Sequence, residues 1–197
     1  MIEPADITGI ILCGGDGTRF AGRDKPLEPL AGEPMVAHVA RRLTPQVHRV
    51  VVSCNRNAGV YARWGDVVTD RIPGLGPLGG VASALEHTVT PWAFVCPGDA
   101  PLLASTLVAT LARAAETSDA KAFVPFDGKR RQHLFLLLHR SLQGTLDSYL
   151  TSGGRSVHEW LDACEAAAVD ATPDHDSFVN INSAEALTRL AREAVPR

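Results

Sequence analysis

The chain has 197 residues, enough for one sizeable domain with its own core, and its 45% hydrophobic and 21% charged residues are the balance of a soluble globular protein. A net charge of −3 and a pI near 6.1 argue against a nucleic-acid binder. No apolar run approaches the roughly 18 residues that cross a bilayer. The acidic start, Met1-Ile-Glu-Pro-Ala-Asp, lacks the basic and apolar regions of a signal peptide, so a cytoplasmic protein is expected.

Ile7 to Leu12 is a short apolar run that ends in glycines and reads as a buried strand. After a polar loop, Val36, Val39, Ala40 and Leu43 stand at i, i+3, i+4, i+7 and mark an amphipathic helix with Pro34 in its first turn. Arg49 to Ser53 is a second strand, and Val67-Val68 a third extended piece before Asp70. The loop Pro73-Gly-Leu-Gly-Pro-Leu-Gly-Gly80 leads into a helix carrying Leu78, Val81, Ala82 and Leu85. Ala93 to Cys96 is a strand closed by Pro97-Gly98-Asp99-Ala100-Pro101, and Leu103, Leu107 and Leu111 predict the next helix. Further strands are expected at Ala122 to Val124 and Leu134 to Leu138, then helices carrying Leu142, Leu146 and Leu150, and Val157, Trp160, Leu161 and Cys164. Val179-Asn-Ile-Asn182 is extended and precedes a last helix with Leu187, Leu190 and Ala191. Alternating strand and helix over the first part of the chain predicts an α/β domain with a mainly parallel sheet and helices on both faces, spanning 1–197 as one domain. In such sheets ligands bind beyond the carboxyl ends of the strands. That points to the polar loops holding Gly14 to Lys25, Asn55 and Asn57, and Asp99.

The four cysteines, Cys13, Cys54, Cys96 and Cys164, contain no C-x-x-C pair, and disulfides are not expected in a cytoplasmic protein. Cys13, Cys54 and Cys96 each follow a predicted strand. A shared metal and small buried apolar residues both fit that placement, and the second is the expectation. The seven histidines show no metal-ligand spacing.

The glycine loop narrows the chemistry. Glycines between a strand and a helix let backbone N–H groups approach an anion, because no Cβ intervenes. A P-loop needs Lys and Ser/Thr after its last glycine, but Arg23 and Asp24 follow Gly22. A dinucleotide fingerprint begins at Gly15-Asp-Gly17 but meets Phe20 where its third glycine belongs. What remains is a loop with two cations, Arg19 and Lys25, suited to a phosphate chain.

These residues resemble the signature of the nucleotidyltransferases that act on molybdenum cofactor, their guanylyl-transferring branch in particular. The resemblance rests on Leu12-x-Gly-Gly-x-Gly-x-Arg19, Gly22-x-Asp24-Lys25-x-Leu27, Gly32-x-Pro34-Met35, Ser53-x-Asn55-Arg56-Asn57 and Asp70 before a Pro-Gly turn. It continues through Gly76-Pro77-Leu78-x-Gly80, Asp99-x-Pro101, Gly154-x-Ser156-Val157, Trp160-Leu161 and Val179-Asn180-Ile181-Asn182. The motifs run in family order over nearly the whole chain. Cys13 stands where the family usually has Ala, and Gly98 and Ala100 depart from its usual neighbours of the Asp.

The resemblance implies a Rossmann-like three-layer α/β/α nucleotidyltransferase fold. The implied reaction transfers GMP from Mg-GTP to the phosphate of molybdopterin, with release of pyrophosphate. By resemblance Asp99 is the Mg²⁺ ligand, and Arg19 and Lys25 hold the triphosphate and the acceptor phosphate. Leu12, Cys13, Gly14 and Gly15 offer backbone groups to the nucleotide, and Asn55 and Asp70 contact the nucleoside. Gly80, Asn180 and Asn182 line the molybdopterin side. Asn182-Ser-Ala-Glu185 also fits a helix capping box. Gly14 and Asp24 are the pointers to guanine over cytosine. A monomer is expected, with transient contact with molybdenum insertion proteins and molybdoenzymes. A cytidylyl enzyme on molybdopterin or another small phosphate, and a non-catalytic cofactor carrier, are the rival readings.

Overall fold

In a computed structural model, residues 1–14 and 24–178 are described. Seven strands form one sheet: β1 (Ile7–Leu12), β4 (Arg49–Ser53), β5 (Asp66–Val68), β6 (Trp92–Pro97), β7 (Ala122–Phe126), β8 (Leu136–His139) and β9 (Ala167–Asp170). A small hairpin, β2 (Pro29–Leu30) with β3 (Glu33–Pro34), lies outside it. The sheet order is β5-β4-β1-β6-β8-β7-β9. All pairings are parallel except those of β8, which runs antiparallel to both neighbours. The mainly parallel α/β expectation therefore holds.

The helices are α1 (Met35–Leu43), α2 (Ala58–Tyr61), α3 (Pro77–Glu86), α4 (Leu107–Glu116), α5 (Gln143–Thr151) and α6 (Val157–Ala163). Strand side chains alternate between faces, so each central strand feeds two cores. Ile7, Ile11, Val52, Phe94 and Cys96 pack with α1 and α4, whereas Ile10, Val51, Ala93 and Val95 pack with α3, α5 and α6. Burial on both faces is why β1 and β6 read as continuous apolar runs rather than alternating ones.

Several boundaries differ from expectation. Pro34 ends β3 and precedes α1 instead of sitting in its first turn. Leu103 is buried in the loop before α4, which starts at Leu107. The strand expected at Ala93 to Cys96 runs one residue further at each end, so Cys96 lies within β6 and does not follow it. The strand expected from Leu134 begins at Leu136, and α2 and β9 had no counterpart in the sequence reading. Both are short, four residues each, and β9 is only half-buried, so neither carries a clear periodic signal.

The order also locates a site. From β1 the chain moves outward through β4 to β5, then returns to place β6 on the other side of β1. That reversal opens a crevice between the carboxyl ends of β1 and β6, the usual ligand position in an open α/β sheet.

Candidate active site

The strand ends around the crevice are stitched together by backbone hydrogen bonds. Gly98 N–H donates to Leu12 O (2.9 Å), Cys13 N–H to Ser53 O (2.8 Å), and Cys54 N–H to Val68 O (3.0 Å). The Cys13 N–H is thus committed inside the sheet, while Gly14 is exposed at the mouth. Gly98 makes the first of these approaches possible by its missing side chain. A Cβ there would lie 2.5 Å from Cys13 Sγ, 3.2 Å from Pro26 Cβ and 3.3 Å from Leu12 O. Two of the three departures from the family pattern, Cys13 and Gly98, are therefore one feature: the Cys13 thiol occupies the space that a side chain at position 98 would take.

Lys25 and Asp99 meet across this crevice. Lys25 opens a single helical turn, Lys25–Leu27, and Asp99 follows β6. The Lys25 ammonium donates to Asp99 Oδ2, and each side chain is 18% exposed, sheltered yet open to a ligand. Beside them, Asn55 and Asp70 form a reciprocal pair. Asn55 Nδ2 donates to Asp70 Oδ2 (2.8 Å), and Asp70 N–H donates to Asn55 Oδ1 (2.9 Å). This pair ties the loop after β4 to the loop after β5. Gly80 lies in the first turn of α3, where a Cβ would come 2.6 Å from Ser53 Oγ and 3.5 Å from Asp70 Oδ1. Its missing side chain lets α3 press onto β4 beneath the Asn55–Asp70 pair. Gly15, Arg19, Asn180 and Asn182 lie outside the described residues.

Asp24, read in the sequence as a pointer to the base, is engaged elsewhere. Tyr61 OH donates to its Oδ1 (2.7 Å) and Asn57 Nδ2 to its Oδ2 (2.9 Å). Tyr61 is fully buried, and burial, with Cys13 and Asp24 nearby, pushes its phenol far up, so it stays a proton donor. The sequence reading missed Tyr61. Its only signal was position, four residues after Asn57 on a stretch too short to read as a helix. Arg71 was missed as well. It pairs with Glu86 and with Asp147 (2.9 Å), fastening the segment after Asp70 onto α3 and α5.

Cys13, Cys54 and Cys96 are buried and free. Burial pushes all three thiols up, Cys54 to about 11, with Asp24, Asp70 or Asp99 adding to the effect. They are neutral at physiological pH, so they pack as small apolar groups. Among the described residues no group of three or more His, Cys, Asp or Glu is placed to hold a metal. No helix among them is long and apolar enough to cross a membrane.

A mainly parallel sheet with a lysine-carboxylate pair at its switch point is the frame of a nucleotide-handling α/β enzyme. The chain matches the MobA-like NTP transferase domain over residues 9–167 and belongs to that family. It is 41% identical over 194 residues to a molybdenum cofactor guanylyltransferase of Cupriavidus taiwanensis, covering 95% of this chain and 97% of that one. A molybdenum cofactor guanylyltransferase of Vibrio cholerae is 33% identical over 190 residues, covering 96% of this chain and 93% of the other. Among solved structures, molybdopterin-guanine dinucleotide biosynthesis protein A from Archaeoglobus fulgidus shares the fold with a TM-score of 0.80 at 21% identity, over 94% of this chain and 97% of that one. A 4-diphosphocytidyl-2C-methyl-D-erythritol synthase from Anaerococcus prevotii superimposes with a TM-score of 0.71 at 11% identity, over 97% and 99% of the two chains. The fold therefore extends to an enzyme whose name carries a cytidyl group, so fold alone does not select the base.

Proposed function

We propose that the chain transfers GMP from Mg-GTP to the phosphate of molybdopterin, releasing pyrophosphate and forming the guanine dinucleotide cofactor. The observation that carries this reading is the Lys25–Asp99 pair at the crevice between β1 and β6, in a chain alike over almost its full length to guanylyltransferases of that cofactor. An acceptor phosphate oxygen attacks the α-phosphorus of GTP, a new P–O bond forms, the α–β bond breaks, and pyrophosphate leaves with its electron pair. A phosphate monoester with a second pKa near 6 is mostly dianionic at neutral pH, so the nucleophile needs no strong base. The difficulty is charge: several anions must be held in line.

Lys25 supplies a mobile point charge for the phosphates, with Arg19 as the second cation. Asp99 would hold magnesium. Its partly sheltered carboxylate is a hard oxygen donor, and the Lys25 ammonium already rests on it where a cation belongs. When bound, magnesium neutralises phosphate charge. Asn55 and Asp70, which orient each other, present their remaining acceptors and donors to the nucleoside. Leu12, Cys13, Gly14 and Gly15 line the base side, and Gly80, Asn180 and Asn182 the molybdopterin side. The enzyme works as a cytoplasmic monomer and hands its product to molybdenum insertion proteins or molybdoenzymes by transient contact.

Pyrophosphate release measured with molybdopterin and either GTP or CTP tests the reading. Turnover with GTP and little with CTP is expected. A preference for CTP would overturn the choice of base, and no release with either would favour a cofactor carrier.

A further inference from the structure

Asp24 joins the end of the glycine loop to Lys25, and both of its carboxylate oxygens already have donors. The donors come from one short stretch. Asn57 adopts a left-handed conformation, φ 56°, and its carbonyl accepts from Val60 N–H (2.8 Å) and Tyr61 N–H (3.1 Å) to start α2. The same geometry turns the Asn57 amide towards Asp24 and brings the buried Tyr61 hydroxyl to the other oxygen. On the chain side, Asp24 O accepts from Leu27 N–H (2.9 Å) and Lys25 O from Glu28 N–H (3.0 Å), so the turn that carries Lys25 begins at the held residue. Pro26, inside that turn, abuts Gly98, the neighbour of Asp99. Lys25 is thus constrained from both sides, by Asp24 before it and by Pro26 after it.

We infer that Asp24, Asn57 and Tyr61 form a positioning clasp that aims Lys25 at Asp99 and the phosphates, and that Asp24 acts through this geometry, not by reading the guanine. The inference rests on Lys25 serving as the phosphate-side cation in the proposed reaction. The clasp makes the loop after β4 serve two ends of the site: Asn55 fixes Asp70 on the nucleoside side, and Asn57 fixes Asp24 on the phosphate side. Because a displacement of about 1 Å costs on the order of a hundredfold in rate, a lysine released from such a clasp loses turnover more than affinity.

The test is a hydrogen-bond exchange in the full chain, read as kcat and KM for GTP with molybdopterin as acceptor. Asn57→Asp sets a second carboxylate against Asp24 and removes one donor of the clasp, a loss that no amide rotation relieves. In the exchanged variant D24N/N57D, the amide at position 24 donates to the carboxylate at position 57, and its oxygen still accepts from Tyr61. Asn57→Asp and Tyr61→Phe are expected to lower kcat about tenfold with KM changed less than about twofold, and the exchange to restore kcat to within about threefold of the parent. An exchange as impaired as Asn57→Asp, or a gain of CTP use in Asp24→Asn, would overturn the clasp in favour of a direct role for the charge. Tyr61→Phe keeps the buried ring and carries the test if Asn57→Asp does not fold; parental kcat in that variant also overturns the clasp. Lys25→Ala, measured beside these, separates the two readings. Parental turnover there removes Lys25 from the chemistry, whereas collapse there with parental rates in the clasp variants removes the clasp alone.

Discussion

At the ends of β4, β1 and β6, polar side chains meet across loops that belong to different strands: Lys25 with Asp99, Asn55 with Asp70, Asn57 with Asp24. On the β8-β7-β9 side the polar contacts differ. Arg131, in the β7–β8 hairpin, pairs with Asp162 of α6 (2.6 Å), and the rings of His133 and His158 lie 4.9 Å apart. There each contact fastens a hairpin to the helix beside it. Around the crevice each contact joins loops that follow different strands, and the Lys25–Asp99 pair stays partly exposed. Similar residue types thus perform different work, and the sheet order decides which. β1 and β6 are adjacent and parallel, and the chain leaves them to opposite sides, to β4 from one and towards β7 from the other, so their loops face each other across a gap.

The sharpest way to break this comparison is Asp99→Ala. Pyrophosphate release should fall by on the order of a thousandfold, since a metal-side charge is lost from phosphoryl transfer, while circular dichroism stays that of the parent. Unchanged turnover would remove Asp99 from the chemistry. Gly98→Ala should come next, costing about 1–3 kcal/mol of stability through overpacking, because the new methyl meets the Cys13 sulfur at 2.5 Å. Adding Cys13→Ala should recover most of that loss in a double-mutant cycle; additive losses would mean that the thiol and position 98 do not share one space. Asn55→Ala should raise KM for GTP by roughly tenfold and lower kcat less, whereas Arg131→Ala on the far side should lower the melting temperature slightly and leave both constants at parental values. A kinetic defect in Arg131→Ala would erase the distinction between the two regions.

The smallest expected effect belongs to pH. Burial, with His158 and Arg131 nearby, holds His133 below the usual imidazole range, and burial with Lys121 does the same for His139. Each histidine binds fewer protons folded than unfolded in that window. Stability should therefore decline as pH falls through the unfolded value of about 6.5 and level off below the folded values. Melting temperatures across that range should show the decline, and His133→Asn should flatten it; an unchanged slope would assign it to other groups.

Much of the fold was legible because long elements carry strong periodicity. The apolar runs of β1, β4 and β6 and the i, i+3, i+4 spacing of α1 and α3 announce themselves. The short α2 and β9 did not, since four residues hold about one helical turn or two strand repeats. Site residues followed the same rule. Lys25, Asn55, Asp70 and Asp99 stood in motifs next to readable strands, and the structure brings them together in pairs. Asp24 was legible as a residue but its partners were not, because Asn57 and Tyr61 lie more than 30 positions away. Gly98 read as a departure until Cys13 was seen beside it.

By itself, the amino-acid order determined which segments are apolar enough to be buried, the alternation that forces a parallel α/β sheet, and the residue types available to hold phosphates. Those are local properties, set by side-chain period and by the freedom of glycine. Which carboxylate faces which cation was decided only by the tertiary structure. That choice depends on the order of strands in the sheet, which brings the loops after β1, β4 and β6 to one crevice and turns Asp24 inward to a buried hydroxyl while leaving Asp99 at the mouth with Lys25.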